Sequence, residues 1–349
     1  MQIKSIAIYL LLILIFFLYS CSSSVNTDSY EVSASVSENV VTENNSDLYT
    51  EIYEEISNIY TEQQTEYTET TIETTLQNNE EEFIISENST APDKFDKMIN
   101  VIESYGDNIS VFYKDMTNGE IYFYNKEASY VTASVIKAPY AVYLYQLALA
   151  GNCNLNEKLE YTKDLARFPV AIVGQEKFGT FFTIERLIEY SIRYSDNTAY
   201  NMLLNKFGYT GFKNYYESRG LNLKPGMTIG INSMTDIEYM AFYLEQIYEF
   251  IEEKNLYSET LKNYMINTEL QVIKADAPVA RKYGFMNTDM SEIGIVFDEE
   301  RPYLLIIRTK GYYDAISDTY SIILDGKYED YPVTFEKISR AVEEYNNSK

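Results

Sequence analysis

The run Thr132-Ala133-Ser134-Val135-Ile136-Lys137-Ala138-Pro139-Tyr140 sets a serine three residues ahead of a lysine, where an apolar segment reading as a helix to Ala150 begins. A spacing of three is nearly one helical turn, so Ser134 and Lys137 share a face. If the helix opens at Ser134, that residue's backbone N–H is one of the unpaired donors at its positive end. The run then combines a hydroxyl, an amine able to act as its base, and a donor for a developing oxyanion. The pattern S-x-x-K occurs once in the chain. Taken alone it is equally the signature of an N-capping serine followed by a solvated lysine.

None of the 349 residues is a histidine. This excludes a Ser-His-Asp triad, a Cys-His pair and any histidine-ligated metal. A serine nucleophile here must use a lysine, a carboxylate or a terminal amine as its base. The two cysteines, Cys21 and Cys153, provide no disulfide framework. Cys153 reads as an inert boundary thiol, since no imidazole is present to activate it. The formal charge is −25 with no basic cluster, which argues against nucleic-acid binding.

Two further groups follow Ser134 in order. Ser195-Asp196-Asn197 lies 61 residues on, between two helical patterns, and Lys282-Tyr283-Gly284 opens a strand pair near the C-terminus. Each has a bland reading, as a helix cap for the first and a charged strand end for the second. In this order the three groups resemble the S-x-x-K, S-D-N and K-T-G motifs of the penicillin-recognising serine enzymes, most closely the class A β-lactamase family. The resemblance covers roughly residues 93 to 349.

That resemblance implies roles. Ser134 is the nucleophile, Lys137 in its free-base form takes the proton, and Ser195 relays a proton to the leaving nitrogen. Asn197 holds Lys137 and the substrate amide, and Lys282 attracts a substrate carboxylate and lowers the pKa of Lys137. The backbone N–H groups of Ser134 and Phe285 form the oxyanion hole, with Gly284 and Tyr283 completing the strand motif. The chain departs from the family at two places. Tyr283 stands where a Thr or Ser hydroxyl is usual, which unsettles carboxylate recognition. No E-x-x-L-N stretch, whose Glu activates the hydrolytic water, occurs between Asn197 and Lys282; Glu217 is the nearest carboxylate. The implied activity is a serine acyl-enzyme hydrolase acting on β-lactams or D-Ala-D-Ala-type amides, with no metal and no cofactor. The alternatives are a penicillin-binding cell-wall DD-peptidase or transpeptidase with slow deacylation, and a non-catalytic wall-binding or sensing lipoprotein.

The flanking sequence divides into three parts. Residues 1–21 contain Lys4, an apolar run from Ile6 to Leu18, and then Cys21. The run is short for a membrane span and suits a signal peptide. Its end resembles the lipoprotein signal in which the cysteine is acylated, so an exported protein anchored through Cys21 to the outer face of a bacterial membrane is expected. Residues 22–91 are rich in Ser, Thr, Asn, Glu and Tyr and contain no Lys or Arg. They read as a disordered acidic tether spanning on the order of 50 Å.

Residues 92–349 read as one α+β domain. A helix up to Gly106 precedes a hairpin turning at Thr117-Asn118-Gly119, the strongest turn signal in the chain. Residues 151–182 read as loop. Helices are expected from Thr183 to before Ser195, over Asn197–Phe207, 210–219, 235–253 and 256–266. Strands are expected over Ala280–Phe285, Glu292–Phe297 and Tyr303–Arg308, and a closing helix over Val333–Tyr345. This order predicts an antiparallel sheet flanked by the N- and C-terminal helices, plus an all-helical lobe, with a cleft between them. The 35 tyrosines are expected mainly in core and surface roles rather than as a glycan-stacking platform.

Overall fold

The computed structural model describes residues 92–349, apart from 170, 225–227, 315–318 and 325–326. The expected signal segment with Cys21 and the expected tether lie outside the described residues. In chain order the elements are helix α1 (Pro92–Glu103), strands β1 (Ile109–Asp115), β2 (Ile121–Tyr124) and β3 (Tyr130–Val131), then a 3₁₀ turn (Ala133–Ile136) that leads into α2 (Lys137–Leu149). Strands β4 (Lys158–Glu160) and β5 (Phe181–Thr183) precede α3 (Ile184–Arg193), α4 (Asn197–Phe207) and α5 (Thr210–Glu217). Then come β6 (Met234–Thr235), α6 (Ile237–Glu252) and α7 (Leu256–Ile266). The chain closes with β7 (Val279–Met286), β8 (Asp289–Val296), β9 (Tyr303–Lys310), β10 (Tyr312–Asp314), β11 (Thr319–Leu324), β12 (Lys327–Asp330) and α8 (Tyr331–Asn346).

The five long strands form an antiparallel sheet in the order β2-β1-β9-β8-β7. Side chains alternate between its faces, as strand geometry requires. Along β9, Tyr303, Leu305 and Ile307 face one core with Met98 and Ile102 of α1 and Phe335, Ile338 and Val342 of α8. Leu304 and Ile306 face the other core, made with the helical lobe. Both faces are covered, which is why β9 reads as an unbroken apolar run rather than an alternating one.

Side-chain caps open several of the helices. Thr183, Asp236 and Asn255 accept backbone N–H groups at the starts of α3, α6 and α7. Gly119 takes the positive φ of the β1–β2 turn, at +80°. Helix α2 is buried on every side from Lys137 to Tyr145, as expected of a central helix. Pro139 falls in its first turn, where a missing N–H costs nothing. Beneath α2 lies an aromatic hub of Tyr140, Tyr143, Tyr200, Tyr209, Phe212, Tyr216 and Tyr243. Most of its hydroxyls find partners: Tyr140 donates to Gly208 O at 2.9 Å, Tyr216 to Pro139 O at 2.8 Å, Tyr200 pairs with Tyr209 at 3.2 Å and Tyr243 with Tyr239 at 2.9 Å. These tyrosines are core residues.

Three features differ from the sequence reading. A three-stranded sheet, β10-β11-β12, lies between β9 and α8, where no element is expected. The β4–β5 ribbon falls largely in the stretch 151–182 that reads as loop, and the β3–β6 ribbon takes Thr235 from the start of the helix expected over 235–253. Ser134 sits one turn before the α-helix, in the 3₁₀ segment, and Lys137 is the first residue of α2. The β3–β6 ribbon is fastened by Arg308 of β9, which is 0% exposed. Its guanidinium donates to Thr235 O at 2.6 Å, Asp236 O at 3.1 Å, Tyr130 O at 2.9 Å, Val131 O at 3.3 Å and Ser291 Oγ at 3.1 Å. Residues 130 and 131 lead directly into the turn that carries Ser134, so this one side chain ties the turn to the sheet. Arg308→Met strands several buried carbonyls, at about 1–3 kcal/mol for each group left unsatisfied. The expected result is a clear fall in the urea midpoint; an unchanged midpoint contradicts the role.

Candidate active site

Three elements meet where the helical lobe faces the edge strand β7: the 3₁₀ turn with Ser134, the α3–α4 connection with Ser195, and β7 with Lys282. Ser195 has φ = 53°, and Ala133, just ahead of Ser134, has φ = 47°. Left-handed backbone at non-glycine residues costs on the order of 1–3 kcal/mol and concentrates at functional sites. At Ser195 the conformation lets the chain leave α3 and restart at once as α4. Asp196 fixes that restart: one carboxylate oxygen accepts Ala199 N at 2.9 Å and the other accepts Val173 N at 2.8 Å. Strand β7 closes on the Ser134 turn at Gly284. A Cβ there would lie 2.9 Å from Val135 N and 3.0 Å from Ser134 N, so only glycine admits this approach. The same approach brings Phe285, the next residue, beside the Ser134 backbone.

The side chains converge on Ser195. Lys137 Nζ donates to Ser195 O at 2.6 Å, to Asn197 Oδ1 at 2.6 Å and to Ser195 Oγ at 3.3 Å. Lys282 Nζ donates to the same Oγ at 2.9 Å and to Tyr283 O at 2.9 Å, and lies 4.1 Å from the centre of the Tyr283 ring. Asn197 completes its amide by donating Nδ2 to Phe168 O at 3.1 Å. Phe168, whose side chain is 75% exposed, stands at this rim. Among the described residues no hydrogen bond joins Lys137 Nζ to Ser134 Oγ; Ser195 holds the amine beside the Ser134 turn. Hydrogen bonds of this kind commonly tighten only when substrate is present.

Both amines are out of water, Lys137 at 1% and Lys282 at 0% exposure. Burial pushes Lys137 down to about 7, against the opposing pull of the Asp196 carboxylate. Lys282 is also held well below the usual ammonium range, first by burial and then by the charge of Lys137. Burial is the first cause for both, because a low-dielectric site disfavours the charged form, and for Lys282 the neighbouring Lys137 charge adds to it. An amine near neutrality is what a serine base needs. On the opposite face of the sheet from Lys282, Glu292 of β8 pairs across from Tyr283 and is 0% exposed. Its Oε2 accepts Ile273 N at 2.5 Å and Val272 N at 3.2 Å, and burial pushes its carboxyl up to about 7.

The structure thus gathers Ser134, Lys137, Ser195, Asn197, Lys282, Tyr283, Gly284 and Phe285 at one place. Asp196 and Glu292 were not singled out from sequence. Asp196 was visible as the middle of the S-D-N group and as a helix cap; nothing in the sequence marks Glu292, whose position depends on the β7–β8 register. Cys153 is half-buried, and burial raises its thiol to about 11, in keeping with an unreactive role. Among the described residues no group of three or more carboxylates and thiols could hold a metal ion, and no helix is long and apolar enough to cross a membrane.

Residues 93–345 match the family model described as the beta-lactamase enzyme family. The chain belongs to that family. Solved β-lactamase-like structures share its fold. PBP-A is 17% identical, with a TM-score of 0.61 over 73% of this chain and 97% of that one. A β-lactamase from Sphaerobacter thermophilus DSM 20745 is 15% identical, with a TM-score of 0.59 over 73% and 98%. An ancestral class A β-lactamase is 18% identical, with a TM-score of 0.58 over 72% and 99%. At such identities the likeness is one of fold. No curated protein sequence matches the chain.

For this β-lactamase family member, the buried amines set a pH dependence. With Lys137 as the base for Ser134, reaction with a serine-directed fluorophosphonate would require the neutral amine. Labelling should rise tenfold per pH unit below about 7 and level off above it. Glu292 titrates in the same range, so Glu292→Gln serves as the control and should keep the limb. A flat profile, or a limb that disappears in Glu292→Gln, contradicts the assignment of the base to Lys137.

Proposed function

We propose that the domain is a serine acyl-transfer enzyme that forms an ester at Ser134 from a β-lactam or a related D-Ala-type amide. The observation that carries this reading is the pair of buried amines on one hydroxyl, beside the Ser134 turn, in a chain without histidine. In acylation, Ser134 Oγ bonds to the substrate carbonyl carbon and its proton passes to Lys137 Nζ. The C–N bond breaks as a proton reaches the leaving nitrogen through Ser195 Oγ. The oxyanion develops between the backbone N–H groups of Ser134 and Phe285; losing one such donor typically costs about 2.7–4 kcal/mol.

One observation favours slow release of the acyl group over rapid hydrolysis. Among the described residues no carboxylate hydrogen-bonds to Lys137, Ser195, Asn197 or Lys282. Both Asp196 oxygens are engaged by backbone. Glu217 is exposed and lies 3.6 Å from Lys213, so it is not available to activate water at Ser134. This supports a penicillin-binding peptidase or transpeptidase over an efficient β-lactamase. A variant of the structurally similar PBP-A is described as an acyl-enzyme complex with penicillin G, which is consistent with that preference. An export signal with acylation at Cys21 would place the domain outside the cytoplasmic membrane, near cell-wall peptides.

Incubation with a fluorescent penicillin and a chromogenic cephalosporin tests the reading. The expected result is a persistent adduct on Ser134 with little colour change. Ser134→Ala should abolish it, and Lys137→Met should slow it by about 10²–10⁴-fold. Fast colour change overturns the slow-release reading in favour of a β-lactamase. No reaction with either probe overturns catalysis and leaves a binding module.

A further inference from the structure

Lys282 Nζ is enclosed on three sides, by Ser195 Oγ at 2.9 Å, Tyr283 O at 2.9 Å and the face of the Tyr283 ring, whose centre lies 4.1 Å away. Nothing of the side chain reaches solvent. A substrate carboxylate therefore meets a tyrosine ring where it would need a cation. The phenol hydroxyl end of the same ring lies against Ser195, so the ring bridges the two motif residues and roofs the amine between them.

Neighbouring cations do not replace it. Arg281, next along β7, turns to the other face and donates to Ile273 O at 2.8 Å and Val279 O at 3.3 Å. Arg193, at the end of α3, is paired with Glu189 at 2.7 Å and lies 5.2 Å from the centre of the Tyr194 ring. An anion placed at this edge would meet a covered amine held well below the ordinary ammonium range, and would lose hydration without gaining a charge-assisted hydrogen bond.

We propose that Tyr283 fills the anion subsite of the cleft, so that a free carboxylate on the leaving-group side gives a substrate no advantage and the enzyme also takes amides and esters that lack one, such as internal linkages of a D-amino-acid peptide. The proposal rests on the Ser134 acyl-transfer reading and names its substrate class. Tyr283 is the specificity-determining residue: its ring holds Lys282 for duty towards Ser195 and withholds it from substrate. Replacing the ring with a short hydroxyl frees one Lys282 donor and opens the subsite.

Acylation rates of Ser134 by penicillin G and by its methyl ester, measured on the whole chain by intact mass, test this. In the wild type the free acid should show no advantage over the methyl ester at any salt concentration. Tyr283→Thr should favour the free acid at least tenfold, with an advantage that shrinks as salt is raised. Tyr283→Phe retains the ring and should keep the wild-type ratio. A wild-type preference for the acid of tenfold or more overturns the proposal. So does a Tyr283→Thr ratio equal to that of the wild type. Failure of both probes to label Ser134 is a different result: it overturns the acyl-transfer reading itself, and this proposal with it.

Discussion

Two lysine amines are packed out of water around a single serine oxygen, and the site follows from that constraint. An isolated buried ammonium is costly enough that proteins relieve it by shifting the pKa rather than by carrying the charge. Lys137 and Lys282 both donate to Ser195 Oγ, burial lowers both, the charge of Lys137 makes the proton of Lys282 still less favourable, and Asp196 supplies an opposing charge close to Lys137. Without imidazole in the chain, this is how a base near neutrality arises. The cost is borne by the rest of the domain, since dry surroundings for two amines require a helix buried on all sides, a sheet edge pressed against a turn, and an aromatic hub below.

Each supporting feature acts on the same few backbone atoms. Arg308 ties the segment leading into the Ser134 turn to the middle of the sheet. Gly284 lets the edge strand approach the nucleophile's amide, which a side chain at that position would forbid. Asp196 holds Ser195 in its left-handed conformation by pinning the start of α4 on one side and the 171–175 loop on the other. Such preorganised but strained arrangements trade stability for chemistry. Removing Lys137 in favour of an apolar side chain would relieve desolvation while deleting the proposed base.

Much of this was legible in the sequence, and the reasons divide cleanly. The serine–lysine spacing, the S-D-N connection and the strand lysine are local signals. The 3.6-residue periodicities of α6 and α7 and the Asn-Gly turn between β1 and β2 are also local, and these elements appear where expected. The β10–β12 sheet went unread because its Tyr-rich strands are short and gain their identity from pairing. Arg308 and Glu292 went unread because their meaning lies in register. Arg308 matters only because β9 runs beneath the β3–β6 ribbon, and Glu292 only because β8 sets it opposite Tyr283. Tyr283 looked like a weakened motif residue; its ring position over Lys282 gives the substitution a physical sense that one-dimensional comparison could not.

The account stands on the ionisation of one amine. Lysine labelled with carbon-13 at Cε, with Lys137 assigned by its loss in Lys137→Met, reports that ionisation directly by NMR titration of the folded domain. The account predicts a midpoint for Lys137 close to 7. A midpoint near the ordinary ~10.4 of a solvated lysine would show a charged ammonium at neutral pH and would contradict the base on which the proposed chemistry depends.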